Sequence, residues 1–235
     1  DYAKIGKQMR AAENGVFTRS GYVIQMEKLQ PLPDYEPQRE ISYMIRLTLM
    51  NHENEQKTAV LDLPATEARM LQVQEDLNAP EWYDAQFTGC DAIVPKLNTI
   101  LTDVEDLPRI NELAKSLQEL KASGQLTKFK AVVGATQCES LDDVFDRLEK
   151  LPQYCFETKI RDKNALVRDE LEFVLGGKDA ELIYRNLNQE AYANDILRQY
   201  GAKLTPYGMV NRADFGPLNE PIPEQEETHE PQMGM

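Results

Sequence analysis

The sequence predicts an α+β protein: an elongated chain of three small subdomains followed by a disordered acidic tail. Apolar residues alternate at the period of a β-strand from residue 41, and they recur at the period of an α-helix between 110 and 149. A helix followed by a hairpin is indicated near 189–210. A chain of 235 residues, 41% of them hydrophobic, is long enough to bury a core of its own.

Residues 1–24 are predicted to form a helix and a hairpin, and residues 25–40 an extended linker. Apolar residues at helical spacing run from Tyr2 to Ala12, and a turn follows at 18–21 between two short apolar stretches. Three prolines then favour an extended chain rather than a helix or a central strand.

Residues 41–97 are predicted to form a β-β-α-β subdomain. Pro64 suits the first turn of a helix that runs to about Leu77, because proline lacks the N–H that is not needed there. Strands are indicated by alternating or continuous apolar runs. They are expected at 41–50, 58–63 and 82–94, the last as one strand or two.

Residues 98–152 are predicted to be helical. An apolar stripe from Ile110 to Leu120 indicates the first helix, with Pro108 tolerated in its opening turn. A second, short helix is expected over 128–133.

A third helix of this subdomain is predicted to begin after Ser140, which would form a capping box with Asp143. Apolar residues follow at positions i, i+3, i+4 and i+7 from Leu141, so they define a buried face. This spacing places three acids one turn apart on an exposed stripe: Asp142, Asp146 and Glu149.

Residues 153–214 are predicted to be a second α+β subdomain, and residues 215–235 a disordered tail rich in proline and glutamate. A strand is expected near 154–158 and a hairpin over 204–210. The helical segments are expected at 162–175 before Gly176-Gly177, at 182–187 as a short turn, and at 189–200 before Gly201.

A weak internal repeat relates the two ends of the chain. A shift of 187 positions lays residues 1–23 on residues 188–210 without a gap, helix on helix and hairpin on hairpin. Identity is low, so the shared order of elements carries the signal, and chance similarity is the alternative. The matched residues include Thr18 with Thr205, Gly21 with Gly208 and Val23 with Val210.

The charge of the chain is acidic. It has 40 Asp and Glu against 26 Lys and Arg, a formal net charge of −14 at pH 7. An acidic surface repels nucleic acid and attracts basic clefts, so the expected partner is a protein that normally binds DNA. The alternatives are an ordinary solvated face, helix capping for Asp103 and Asp106, and turn positions for Asp84 and Asp91. The candidate partner-binding acids are Asp84, Asp91, Asp103, Glu105, Asp106, Asp142, Asp143, Asp146 and Glu149.

Catalytic residue types are scarce in this chain. The two histidines are His52, in a predicted loop, and His229, in the predicted tail. Neither is therefore expected to lie in a site where it could act as a general base. The sequence has no GxSxG, P-loop, GxGxxG or HExxH motif. The many acids are compatible with a carboxylate-pair hydrolase, but no pair lies in an evidently apolar segment. We therefore expect neither enzymatic activity nor a cofactor.

The cysteines and the hydropathy indicate the compartment. Cys90, Cys138 and Cys155 are widely spaced and form no CxxC pair, which favours a reducing cytoplasm and predicts no zinc site. No apolar run approaches the roughly 18–20 residues that span a bilayer, and no signal-peptide pattern opens the chain. The first residue is not Met and lies in a predicted helix, so we expect a piece of a longer protein.

Three segments carry a family pattern. Asp106-Leu107-Pro108-Arg109-Ile110-Asn111-Glu112-Leu113-Ala114 matches a typical helix opening, and 140–148 matches a second helix after a loop. Residues 188–208 follow a terminal signature of a Tyr-containing helix, a glycine and a Thr-x-x-Gly hairpin, and residues 1–23 follow the same signature. In this order the modules resemble the ArdA family of antirestriction proteins. Residues 41–214 resemble one whole unit, and 1–24 resemble the end of a preceding unit.

The resemblance implies an acidic homodimer that imitates bent duplex DNA and occupies the DNA-binding cleft of a type I restriction–modification (methyltransferase) complex. It also implies a cytoplasmic protein of a mobile genetic element, with no nucleic acid or membrane as partner. Carboxylates three or four residues apart on a helix stand about 5–6 Å from each other, close enough to substitute for successive phosphates. The alternative is an interaction module of a larger mobile-element protein that keeps the fold without imitating DNA.

Overall fold

The computed structural model of the protein describes residues 16–18, 21–23, 42–102 and 106–220. The chain divides into two units, Asp1–Ser42 and Tyr43–Met235. Several sequence predictions fall outside the described residues: the helix over 1–12, the linker over 25–40, the positions of Asp103 and Glu105, and most of the tail over 215–235.

The described part of the first unit is a hairpin. Strands β1 (Val16–Thr18) and β2 (Gly21–Val23) pair antiparallel, with Thr18 opposite Gly21 and Val16 opposite Val23. The predicted hairpin is therefore confirmed.

The second unit opens with a three-stranded antiparallel sheet. Its central strand is β3 (Ile45–Asn51), flanked by β4 (Thr58–Leu63) and β5 (Ala85–Ala92). Every second residue of β3 is buried, as the alternating pattern predicts. Helix α1 (Glu67–Leu77) lies between β4 and β5 in the sequence, so the β-β-α-β order is confirmed.

Two local predictions in this segment are wrong. Helix α1 begins at Glu67 rather than near Pro64, because the Thr66 hydroxyl caps it by accepting a hydrogen bond from a backbone N–H of the first turn at 3.3 Å. Trp82–Asp84 forms a 3-10 turn with its own capping box rather than a strand, so β5 is the single strand of this stretch.

The middle of the chain is helical, as predicted. It contains α2 (Leu107–Ala122), α3 (Leu126–Ala135) and α4 (Leu141–Glu149). Pro108 lies in the first turn of α2. Helix α3 is longer than the predicted 128–133 because buried apolar residues extend to both of its ends.

The last segment contains a second three-stranded antiparallel sheet and three helices. Strand β8 (Gly208–Arg212) is central, between β6 (Tyr154–Glu157) and β7 (Lys203–Thr205). The helices are α5 (Lys163–Leu175), α6 (Gly177–Asn186) and α7 (Gln189–Gln199). Helix α6 is a full helix rather than the predicted short turn, because Ala180 and Tyr184 are buried one turn apart on it.

Two hydrophobic cores hold this unit together. The first contains residues of the β3–β5 sheet and of α2, α3 and α4, together with Tyr154 and Val210 of the second sheet. The second lies among α5, α6 and α7 and includes Val167 and Ile196. The first two predicted subdomains therefore share one core, and the boundaries near 97 and 152 stay predictions.

The first six residues of the predicted disordered tail are packed against the fold. Leu218 is buried in the first core. Arg212 donates hydrogen bonds to the carbonyl oxygens of Pro217 and Glu220, each at 3.0 Å. Residues 215–220 are therefore part of the fold. Among the described residues, no helix combines the length and the apolar character needed to cross a membrane.

Candidate acidic interaction surface

The net charge is concentrated in the segment that forms the first sheet and α1. Residues 42–106 contain 12 Asp and Glu against 4 Lys and Arg, a formal −8. Residues 107–220 contain 18 acids against 16 bases, a formal −2. More than half of the net −14 therefore belongs to 65 of the 235 residues.

One ion pair forms on the outer side of the first sheet. Arg46 on β3 donates two hydrogen bonds, at 2.6 and 2.8 Å, to the carboxylate of Asp62, its cross-strand neighbour on β4. These bonds lower the pKa of Asp62. The guanidinium also lies 4.1 Å from the centre of the Tyr43 ring. Among the described residues it is the one ion pair with a member in 42–102.

The two candidate acids of this segment have different roles. Asp84 closes the capping box of the 3-10 turn by accepting the N–H of Glu81 at 3.2 Å, which agrees with the turn alternative. Asp91 is exposed on β5, opposite Arg46, and accepts the Tyr43 hydroxyl at 2.5 Å. This hydrogen bond, with partial burial, raises the pKa of Tyr43.

Six further acids of this segment are exposed and form no ion pair among the described residues. Glu81 belongs to the acidic run 81–106, whereas the other five lie in the loop after β3 or on α1 and were not singled out by the sequence pattern. An inventory of the neighbouring lysines and arginines would identify them, because a carboxylate without a nearby cation keeps its full field. They are Glu53, Glu55, Glu67, Glu75, Asp76 and Glu81.

Arg109 neutralises the acids at the start of the helical segment. Its guanidinium lies 2.5 Å from a carboxylate oxygen of Asp142 and 3.9 Å from one of Asp106. It also lies 5.4 Å from the centre of the Phe145 ring. Asp106 occupies the N-cap position of α2, but its side chain makes no capping hydrogen bond. The capping interpretation is therefore wrong for the Asp106 side chain.

Asp143 is a structural residue of α4. Its carboxylate accepts the N–H groups of Glu139 and Ser140, each at 3.0 Å, and the Ser140 hydroxyl at 2.8 Å. The Ser140 oxygen in turn accepts the N–H of Asp143 at 3.1 Å, so the predicted capping box is confirmed. The backbone hydrogen bond from Glu139, then that from the Ser140 side chain, lowers the pKa of Asp143.

The predicted stripe on α4 is only partly open to solvent. The side chain of Asp142 is 81% exposed and Glu149 is also exposed, whereas the Asp146 side chain is 36% exposed. Asp146 pairs with Arg147 and, at 2.6 Å, with the ammonium of Lys150. Two of the three carboxylates therefore lie beside cations, which reduces the field that a partner would meet.

The other side chains singled out in the sequence have structural positions. Burial raises the pKa of the Cys90 thiol to about 11 and also raises that of Cys138, so both act as apolar groups. Tyr192 and Tyr200 pack against the second core and Tyr207 against the first, where they act as core aromatics. Within the described ranges, no group of three or more His, Cys, Asp or Glu is placed to hold a metal ion.

Comparison with known proteins assigns no family and no function to this chain. No protein-family model matches the sequence, and no curated protein matches it.

Proposed function

We propose that this protein is an acidic substitute for duplex DNA that occupies the DNA-binding cleft of a type I restriction–modification enzyme, as the resemblance to ArdA implies. The observation that supports this function most is the formal −8 carried by residues 42–106, where acids outnumber bases three to one. The role requires neither catalysis nor a cofactor. A cytoplasmic homodimer encoded on a mobile genetic element is part of the same proposal.

The physical argument concerns counterions. Duplex DNA has one negative charge per about 1.7 Å of axis, and proteins that bind it gain affinity by releasing counterions. An acidic surface without compensating cations attracts the same basic cleft. Glu53, Glu55 and Glu75 provide such charges, whereas Asp142 and Asp146 are compensated by Arg109 and Lys150. We therefore place the centre of the partner-binding surface on the segment 42–106, with the α4 acids at its margin.

The test is competition for a type I methyltransferase at physiological salt. The purified protein should displace a labelled DNA duplex, and displacement should weaken steeply as salt is added. The variant Glu53→Gln/Glu55→Gln/Glu75→Gln should require about tenfold more protein, because three uncompensated charges are lost.

The matched control removes the same number of charges elsewhere. Asp142→Asn/Asp146→Asn/Glu149→Gln should displace DNA nearly as well as the unaltered chain, since two of its three acids are already paired. A larger loss of DNA displacement in the control variant would indicate that the partner-binding surface lies on α4 instead. No displacement at micromolar protein would overturn the proposed function.

A second candidate function is a protein-interaction module that does not imitate DNA. Two exposed apolar side chains favour it: Phe173 on α5 is 86% exposed and Leu182 on α6 is 63% exposed. Binding through these residues would depend little on salt and would be lost in Phe173→Ser/Leu182→Ser. The salt dependence of binding to a partner protein therefore distinguishes the two functions.

A further inference from the structure

A pocket of about 410 Å³ opens at the C-terminal end of α1. Its volume lies within the range of about 300–1,000 Å³ that is typical of small-ligand sites. The last turns of α1 and the residues that follow the helix form its walls. One carboxylate, two side-chain amides and three apolar side chains line it, and they belong to Glu75, Gln74, Asn78, Leu71, Ala79 and Pro80.

Buried contacts fix the shape of this pocket. Ala79 is buried in the first core. Asn51, which is also buried, donates hydrogen bonds from its side-chain amide to the carbonyl oxygens of Leu77 and Asn78, at 3.2 and 3.1 Å. The end of α1 is therefore held against the first sheet before any ligand binds, which reduces the ordering cost of binding.

The charge at this end of α1 is the opposite of what a helix favours. The last turn of a helix favours cations, because the helix dipole places negative charge there. In α1 the last turn instead contains Glu75 and Asp76 and no Lys or Arg. Neither acid forms an ion pair among the described residues, and residues 70–95 contain five acids and no Lys or Arg. The chain therefore supplies no cation at a position where the helix favours one.

The composition of the pocket indicates which cation it fits. Acids at the end of a helix oppose its stability, and such local conflicts are typical of functional sites. Leu71 is 54% exposed and, with Pro80, forms an apolar wall that suits the aliphatic stem of a long basic side chain. Arginine combines such a stem with a planar guanidinium, which can donate two parallel hydrogen bonds to one carboxylate.

We propose that this pocket binds an arginine side chain of a partner protein, with the guanidinium at the Glu75 carboxylate and the aliphatic stem against Leu71. Arginine is also a residue with which DNA-binding clefts hold phosphate groups. That the partner is a type I methyltransferase rests on the proposed function, whereas the recognition of arginine rests on the pocket. A two-bond contact gives the acidic surface a fixed orientation on its partner, which net charge alone does not.

The test uses capped tripeptides and the unaltered 235-residue chain. Gly-Arg-Gly is titrated at low salt, and amide resonances are followed by NMR. The resonances of residues 71–80 should shift with a dissociation constant in the millimolar range. Gly-citrulline-Gly has nearly the same shape without the charge, so it should bind at least about fivefold more weakly. Gly-Lys-Gly keeps the charge without the planar fork and should bind about threefold more weakly than the arginine peptide.

The matched variants remove one charge from either end of the same helix. Glu75→Gln should weaken binding of the arginine tripeptide about fivefold, because the guanidinium loses its carboxylate. Glu67→Gln, in the first turn of α1, should bind it within about twofold of the unaltered chain, because that carboxylate lies outside the pocket.

Charge reversal separates a role in binding from a role in folding. Glu75→Lys places a cation at the end of α1, so the melting temperature should rise by about 1–2 °C. The same variant should no longer bind the arginine tripeptide. Glu67→Lys should lower the melting temperature by a similar amount and keep the binding, because the first turn of a helix favours acids.

The outcomes distinguish the pocket from the function proposed above. Equal binding of the arginine peptide and either of the other peptides, or equal losses in Glu75→Gln and Glu67→Gln, would overturn the assignment of the pocket to arginine. Displacement of DNA from the methyltransferase without any binding of the arginine peptide would also overturn it, while the proposed function would stand. Binding of the arginine peptide without displacement of DNA would support the pocket and exclude the methyltransferase as its partner.

Discussion

At the scale of single residues, capping side chains determine where the helices of this protein begin. Thr66 rather than Pro64 starts α1, and Ser140 with Asp143 starts α4. A capping hydrogen bond satisfies an N–H that has no partner within the helix, so it has a larger effect than the intrinsic preference of one residue. Asp143 belongs to this structural group, and its place on the partner-binding surface stays a prediction.

Replacement of the capping serine should destabilise the fold. We expect Ser140→Ala to lower the free energy of unfolding by about 1 kcal/mol, because the N–H of Asp143 loses its acceptor. Ser116→Ala is the control: the Ser116 hydroxyl bonds a carbonyl within α2, and alanine is the better helix former. Urea unfolding measures both. Equal losses in the two variants would contradict the role given to Ser140.

The lowered pKa of Asp143 predicts a dependence of stability on pH. The group ionises more readily in the folded chain than at its ordinary pKa of 3.8. Its contribution is therefore complete above that value and is lost as the pH falls through the lower folded-state pKa. Asp143→Asn should lower the free energy of unfolding at pH 7, and the difference from the unaltered chain should shrink below about pH 4. A difference that is constant from pH 7 to pH 3 would contradict the assignment.

At the scale of elements, buried and exposed faces separate the two cores from the surface. Phe129 on α3 is fully buried in the first core, whereas Phe173 at the end of α5 is 86% exposed. Both phenylalanines lie in helices of similar length, so the sequence alone gives little reason to rank them. Burial distinguishes them, because only the first loses its contact with water on folding.

This difference predicts unequal effects of the same substitution. Phe129→Ala should lower the free energy of unfolding by about 3–5 kcal/mol, because it removes apolar contacts and leaves a cavity. Phe173→Ala should change it by less than about 0.5 kcal/mol. Chemical denaturation of the two variants compares them directly. Comparable losses would show that Phe173 is covered in solution, for example by a second copy of the chain.

The same comparison can be made for the segment after β8. Leu218→Ala should cost about 2–5 kcal/mol, because Leu218 is buried in the first core although it lies in a proline-rich stretch. Leu182→Ala, at an exposed position of α6, should have little effect. Thermal unfolding at equal protein concentration measures the difference. An unaffected Leu218→Ala variant would mean that the ordered fold ends before residue 218.

At the scale of the whole molecule, the concentration of charge in residues 42–106 should oppose folding. Uncompensated carboxylates on one segment repel each other when the chain becomes compact, and salt screens this repulsion. We expect added salt to raise the melting temperature. Glu53→Gln/Glu55→Gln/Glu75→Gln should raise it at low salt and flatten the salt dependence, whereas Asp142→Asn/Asp146→Asn/Glu149→Gln should not. A melting temperature that is independent of salt in all three proteins would contradict this.

The sequence predicted most elements because their signals are local. Alternation identified β3, helical periodicity identified α2 and α4, and a turn ending in glycine identified both hairpins. The wrong boundaries arose where a local competitor was stronger than the pattern. Thr66 outweighed Pro64 as the start of α1, and a capping box turned 82–84 into a 3-10 turn.

The candidate site was less predictable, because it depends on which charges meet across the fold. Residue types alone indicate that Asp142 and Asp146 lie on a helix, but Arg109 meets Asp142 from another helix, 33 positions away. No helical or strand periodicity in the sequence predicts that pairing. Five of the six exposed acids of 42–102 without an ion pair were not singled out for the related reason that the fold decides which acids lie near a cation.

The sequence by itself determined the α+β class, the order of the elements and the acidic balance. These follow from the spacing of residue types over one or two helical turns and from the composition of the chain. The tertiary structure alone decided that the described residues of 42–102 and 106–152 share one core, that 215–220 belong to the fold, and which acids are neutralised. These depend on contacts between residues distant in sequence, whose energies are set by burial and proximity rather than by local pattern.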